Sequence, residues 1–198
     1  MLLTQLKEYS IYLVSQSPRR QELLKGMGIE FDSFSSDVEE IYPTHFSPVE
    51  VAEYLAQLKL SEIQFSKYPE KSIFIACDTI VVLGNEIIGK PSDKEEAKQM
   101  LRKLAEHTHT VISGLSVATS QVRLSGNRQT KVHFSSFSEE EIEYYISKYL
   151  PLDKAGSYGV QEWIGYIGIE SIEGSFYNVM GLPTKLLWDL LHQICNPI

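Results

Sequence analysis

One aspartate sits where its neighbours should not tolerate it. Asp78 interrupts Ile73-Phe74-Ile75-Ala76-Cys77 and Ile80-Val81-Val82-Leu83, with only Thr79 as polar company. Aspartate is depleted in strands, and an unpaired buried carboxylate is costly. A metal ion, a cationic partner, or a strand end facing a cleft would each make the position tenable. Each also suits hydrolysis of a polyphosphate, because a divalent ion neutralises phosphate charge and lowers the pKa of water. The plain alternative is a strand-terminal aspartate capping a bend.

Arg19 and Arg20 pose the complementary problem. They follow Ser17-Pro18, a pairing of N-cap and first helical residue, so both cations fall in the first turn of a helix. That end carries a partial positive charge, which disfavours them. Free backbone N–H groups, the hydroxyls of Ser15 and Ser17 and two guanidinium forks describe an anion site, with phosphate as its natural guest. The alternative is a pair of solvated arginines.

Lys59 lies four residues after Leu55 and so flanks the apolar stripe of its helix, while Lys90 is fixed between Gly89 and Pro91. A lysine so placed can point a fixed charge into a site. Glu39 and Glu40 belong with Asp37 to an acidic loop patch that context alone would leave solvated. Gln161 ends a loop whose glycines allow backbone to approach a ligand, and its amide could read a base edge. His107 and His109 have no partners at metal-ligand spacing and read as structural or exposed.

Strand-forming segments alternate with capped helical patterns, the signature of an α/β or α+β domain. Ile11–Val14 reads as a first strand. Ser72–Leu83 is a long strand that Gly84-Asn85 turns back into Glu86–Ile88. Capping-box spacings at Ser47/Glu50, Ser92/Glu95 and Ser138/Glu141 each predict a helix start. His109–Thr119 and Thr130–Phe137 read as strands, with the turn near Ser125-Gly126-Asn127. A Gly-rich stretch from Gly156 to Gly181 should include short strands, and Pro183 should open a final helix.

With 198 residues the chain is long enough for one substantial core and short for two, so residues 1–198 read as a single domain. No apolar run reaches the roughly 18 residues that span a bilayer. The first ten residues lack a secretory pattern, so a cytoplasmic location is expected. The net charge of −8 argues against broad binding to nucleic-acid backbones. Two cysteines, Cys77 and Cys195, form neither a disulfide framework nor a zinc spacing.

Five segments, in order, resemble the Maf family of septum-formation-inhibitor-like nucleotide pyrophosphatases. They are Leu13-Val14-Ser15-Gln16-Ser17-Pro18-Arg19-Arg20, Cys77-Asp78-Thr79-Ile80-Val81, Gly89-Lys90-Pro91, the run from Asp153-Lys154-Ala155-Gly156 through Ser157-Tyr158-Gly159-Val160-Gln161, and Asn178-Val179-Met180-Gly181-Leu182-Pro183. The resemblance extends over nearly the whole chain. It implies an α/β fold, a mixed twisted sheet with flanking helices and two lobes around a cleft, similar to inosine triphosphate pyrophosphatases, and often a homodimer. It also implies that Asp78 is the proton acceptor and that Ser15, Arg19, Arg20, Glu40, Lys59 and Lys90 bind substrate. Asp78 and Glu40 would share a divalent cation, Mg2+ or Mn2+. Arg19, Thr79 and Gln161 look like the branch acting on dTTP and UTP; the 7-methyl-GTP branch differs after Ser-Pro and lacks the Asp-Thr pair. Departures are Cys77 for a smaller residue, Leu60 for alanine, and a bulkier Glu162-Trp163-Ile164-Gly165-Tyr166 where a Gly-rich pattern is usual.

The expected reaction is in-line attack of water on the α-phosphorus with release of pyrophosphate. Thr79 and Gln161 would read the base. The main rival is a non-enzymatic regulator of septum formation that senses nucleotide or binds nucleic acid; the acidic balance speaks against nucleic acid. A phosphomonoesterase with Asp78 as nucleophile would need a second aspartate where Ile80 stands.

Overall fold

A computed structural model describes residues 1–196. Among them, seven strands form one mixed sheet, and helices occupy most of the connections. The chain opens with α1 (Leu2–Leu6), β1 (Ser10–Val14), α2 (Pro18–Gly26), β2 (Asp32–Phe34), α3 (Pro48–Leu58) and β3 (Ser72–Leu83). It continues through β4 (Glu86–Ile88), α4 (Lys94–Leu104), β5 (Thr108–Ala118), β6 (Arg123–Phe134) and α5 (Glu139–Tyr149). It closes with α6 (Trp163–Gly168), β7 (Ile169–Glu173), α7 (Phe176–Met180) and α8 (Thr184–Cys195).

The strand order is β2-β1-β3-β5-β6-β7, with β4 paired to β3. β1 runs parallel to both β2 and β3, in register Tyr12 with Asp32 and with Phe74. Parallel neighbours need crossover connections, which is why α2 and α3 lie between these strands in sequence. β4 and β7 are antiparallel to their partners. β3 is apolar almost throughout because both its faces are covered. The α/β mixed sheet with flanking helices is the fold class the sequence led us to expect.

Local chemistry placed most element ends well. Pro18 opens α2 behind Ser17, and capping boxes at Ser47/Glu50 and Ser138/Glu141 both form. Three expectations are corrected. The cap of α4 is Asp93, whose carboxylate accepts from the Glu96 N–H at 2.8 Å, while Ser92 bonds the Glu96 side chain. The β5–β6 turn falls at residues 119–122: the Thr119 hydroxyl accepts from the N–H groups of Gln121 and Val122, at 3.2 and 3.1 Å. Ser125-Gly126-Asn127 therefore lies inside β6. The Gly-rich stretch holds a single strand, β7, and is otherwise short helices and turns.

The chain resolves into two compact units. The first comprises Met1–Asp78, Ser113–Arg128 and the described residues from Gly181. Its core gathers Val14, Leu60, Phe74, Ala76 and Ala118, with Tyr12, Phe34, Phe65 and Tyr68 packed on it. The rings of Tyr12 and Phe74 stack at 5.0 Å, and Tyr68 meets Phe74 edge-on at 4.8 Å. The second unit comprises Thr79–Ile112 and Gln129–Met180. Here α4 packs on α5, with Arg102 bidentate to Glu139 on the surface at 2.8 and 2.7 Å. Inside, His109, Phe134 and Tyr158 form an edge-to-face aromatic trio.

Candidate functional site

In the first unit, β1 delivers Ser15 at its C-terminal end, and the chain turns at once into α2. Ser15 is buried, and its hydroxyl accepts from the Ser17 N–H at 3.2 Å and from Arg20 Nη1 at 3.3 Å. Arg20 Nε donates to the Gly181 carbonyl at 2.9 Å. That oxygen also accepts from the Cys77 thiol, with Sγ at 3.2 Å. Gly181 has φ 115°, a conformation that glycine adopts without strain. One carbonyl thus ties the α2 arginine to the residue preceding Asp78. Arg19 and Arg20 are half-buried, and no acid shares the first turn of α2 with them. Two cations at the positive end of a helix make that end attractive to an anion.

Lys59 caps the C-terminal end of α3 and sends its ammonium to two carboxylates. Nζ is 2.9 Å from Glu40 and pairs directly with Asp78; it also lies 3.5 Å from the Cys77 carbonyl. The side chains of Lys59 and Asp78 are only 12% and 11% exposed, whereas that of Glu40 is 43% exposed. The two pairs differ in weight for that reason. Breaking a buried pair costs roughly 3–5 kcal/mol because a charge is left uncompensated. The half-exposed Glu40 arm is worth about 0–1 kcal/mol and is readily given up. Asp78 therefore has the cationic partner that its apolar setting demanded. Beside Lys59, a pocket of about 200 Å³ is walled by Val14, Phe34, Ser36, Asp37 and Tyr68 among others.

The donor set suits a divalent cation of the hard, oxygen-seeking kind. Two carboxylates converge on one ammonium, yet no group of three or more His, Cys, Asp or Glu is assembled for a metal among the described residues. That is the provision Mg2+ uses when it takes one or two carboxylates and completes its shell with water and phosphate oxygens.

In the second unit, Thr79 is half-buried on β3 and Lys90 is exposed after β4. The Gly89 carbonyl accepts from the Gly156 N–H at 3.0 Å, tying the Lys90 turn to the loop that leads to Gln161. Gly156 has φ +70°, and a Cβ there would come within 3.2 Å of Val81 and 3.3 Å of Leu104. Ser157 follows with φ 60° although it has a side chain, a local strain held by its surroundings. Further along, the Tyr158 hydroxyl meets His109 Nε2 at 2.7 Å. Burial pushes the His109 pKa down to about 4 and the Tyr158 phenol up, so both are neutral at pH 7. Gln161 is half-buried; its amide oxygen is fully enclosed and accepts no hydrogen bond among the described residues.

Ser15 with Arg20, and Lys59 with Asp78 and Glu40, are thus brought into direct contact within the first unit, with Arg19 in the same turn as Arg20. Thr79, Lys90 and Gln161 belong to the second unit. Gly181, whose carbonyl accepts from both Arg20 and Cys77, is visible in the sequence only as a letter within a motif.

Residues 10–194 match the family model described as Maf-like protein. The chain belongs to the Maf family. A Maf relative from Porphyromonas gingivalis (strain ATCC 33277), named dTTP/UTP pyrophosphatase, is 47% identical over 193 residues, covering 96% of each chain. Another of the same name from Bacteroides thetaiotaomicron is 43% identical over 194 residues, covering 98% of this chain and 100% of the relative. Among solved structures, the Staphylococcus aureus Ham1 protein superposes with a TM-score of 0.52 at 16% identity, covering 93% of this Maf chain and 99% of Ham1. That likeness shows the fold alone. No described helix of this Maf chain is long and apolar enough to cross a membrane.

Proposed function

We propose that this chain hydrolyses dTTP and UTP to the monophosphate and pyrophosphate. The observation that carries the reading is the Lys59 ammonium held between the Asp78 and Glu40 carboxylates, in the unit that also holds the Ser15–Arg20 turn. The names of the full-length Maf relatives support the substrate.

In this reading Asp78 takes the proton from water as its oxygen attacks the α-phosphorus. The bond from the α-phosphorus to the bridging oxygen breaks, and pyrophosphate leaves with the bonding pair. Arg19, Arg20, Lys59 and Lys90 balance charge on the triphosphate, most strongly as it shifts onto the leaving group. Asp78 and Glu40 would hold Mg2+ or Mn2+, which neutralises phosphate charge when bound. Thr79 and Gln161 read the base. The same reading has the chain act as one catalytic domain, as a homodimer, in the cytoplasm.

The test is product analysis. The protein is incubated with Mg2+ and each canonical triphosphate in turn, and phosphorus-containing products are resolved by 31P NMR. Equal amounts of pyrophosphate and UMP or dTMP are expected. Orthophosphate as the first product, or binding without turnover as a nucleotide-sensing regulator would show, contradicts the proposal.

A further inference from the structure

We infer that Glu162 is a positioning residue for base recognition, acting through the 153–162 loop that carries Gln161. The inference rests on the triphosphate reading above and goes beyond it by assigning the device that sets the base preference.

The starting point is a buried ammonium. Lys154 is only 8% exposed, and a charge so placed needs a partner. Asp153, at 2.8 Å, is a largely exposed neighbour along the chain; Glu162, at 3.3 Å, is the enclosed one, with 18% of its side chain exposed. The second carboxylate oxygen of Glu162 accepts from the Tyr145 hydroxyl. That hydroxyl oxygen in turn accepts from the Gly159 N–H at 3.0 Å. The Glu162 N–H donates to the Gly159 carbonyl at 2.9 Å. The start of the loop, its middle and its end are therefore fastened to one another and to α5 through a single carboxylate.

Residue 159 lies directly against that carboxylate. A Cβ at residue 159 would stand 2.7 Å from the Glu162 carboxyl carbon and 2.9 Å from one of its oxygens. With residues 159 and 162 both anchored, the backbone at residue 161 has little freedom. Its amide oxygen is an enclosed acceptor with no donor among the described residues. Buried acceptors of this kind are normally satisfied, so a ligand N–H that the side chain turns to meet, on its fixed backbone, is the fitting complement. The 2,4-dione ring of uracil and thymine offers a donor at N3–H; cytosine offers a lone pair at the same place. A Gln161 oxygen held in register accepts from the first and repels the second. A loosened loop loses that distinction while leaving the phosphate chemistry of Asp78 and Lys59 unaltered.

The experiment measures kcat and KM for UTP and CTP with Mg2+, by pyrophosphate release, in the wild type, Glu162→Ala, Glu162→Gln, Tyr145→Phe, Gln161→Ala and Gln161→Ala/Glu162→Ala. Glu162→Ala should raise KM for UTP about tenfold, hold kcat within about threefold, and lower the UTP-over-CTP preference about tenfold. Glu162→Gln, which still accepts from Tyr145, should recover part of that preference. In the Gln161→Ala background, Glu162→Ala should not change the preference further. A purely structural role predicts instead a lower Tm with UTP and CTP affected alike, and that result overturns the inference. If Glu162→Ala does not fold, Tyr145→Phe is read by the same criterion. A wild type that cleaves triphosphates without preferring UTP overturns this inference alone; a wild type that releases no pyrophosphate removes the function reading and this inference together.

Discussion

The two units hold their candidate residues by different means. In the first, the groups are almost all charged: Arg19 and Arg20 stand at the start of α2 and Lys59 at the end of α3, while Asp78 lies in the middle of β3. Ion pairs and one shared carbonyl fix them. In the second, the neutral Gln161 sits on a loop, and the stiffness of that loop comes from elsewhere. It comes from a left-handed turn at Gly156-Ser157, an aromatic trio behind Tyr158, and the enclosed Lys154–Glu162 pair. Charge can be placed by helix ends and a strand because Coulomb attraction tolerates small displacements. A hydrogen bond that must tell one ring edge from another does not, so its carrier has to be braced.

If this division of labour holds, substitutions in the first unit should lower turnover of every triphosphate alike. Lys59→Met leaves Asp78 and Glu40 facing each other without their shared cation, and should reduce kcat by about 10²–10³ for UTP and CTP equally. Steady-state kinetics on both substrates checks this; a change confined to one of them would break the comparison. Arg20→Lys keeps the charge but loses the fork that spans the Gly181 carbonyl and Ser15. We expect kcat/KM to fall about tenfold, again without a change in base preference, measured in the same assay.

A smaller effect concerns the aromatic brace inside the second unit. An unfolded histidine takes up a proton near its ordinary 6.5, whereas folded His109 does so only near about 4. Between those values the unfolded chain binds more protons, so this residue's contribution to stability falls as pH drops from 6.5 towards 4. His109→Phe removes the titration. Its Tm should decline less from pH 7 to pH 5 than that of the wild type, whatever its Tm at pH 7; differential scanning calorimetry at both values gives the slopes. The smallest effect is expected at the surface. Arg102→Ala removes an exposed ion pair with Glu139 and should leave Tm and kcat within error, sharpening the contrast with the enclosed Lys154–Glu162 pair.

How much of this could be read from the sequence depends on how local the cause is. The β3–β4 hairpin was legible because the strand run and the Gly84-Asn85 turn are contiguous. The caps at Ser47 and Ser138 were legible because their partners lie three residues on. The α4 cap is ambiguous by one residue in the sequence because Ser92 and Asp93 are both good caps and both bond Glu96. For the β5–β6 turn, Ser125-Gly126-Asn127 is the louder signal in the sequence, while the Thr119 hydroxyl that closes the real turn is an inconspicuous one. In the candidate site, the anomaly of Asp78 announced that a partner was needed. That the partner is Lys59, nineteen residues earlier in the chain, is a tertiary fact. Glu162 was invisible in the same way: its meaning lies in Lys154, Tyr145 and the missing side chain of Gly159.

The most direct measurement is single-turnover cleavage of UTP by Asp78→Asn, with circular dichroism and nucleotide titration to show that it folds and binds. The amide is isosteric and can neither take up the proton nor pair ionically with Lys59. The account predicts a folded protein that binds UTP within several-fold of the wild type and releases pyrophosphate about 10²–10⁴ times more slowly. A folded Asp78→Asn protein that cleaves UTP at the wild-type rate would contradict it.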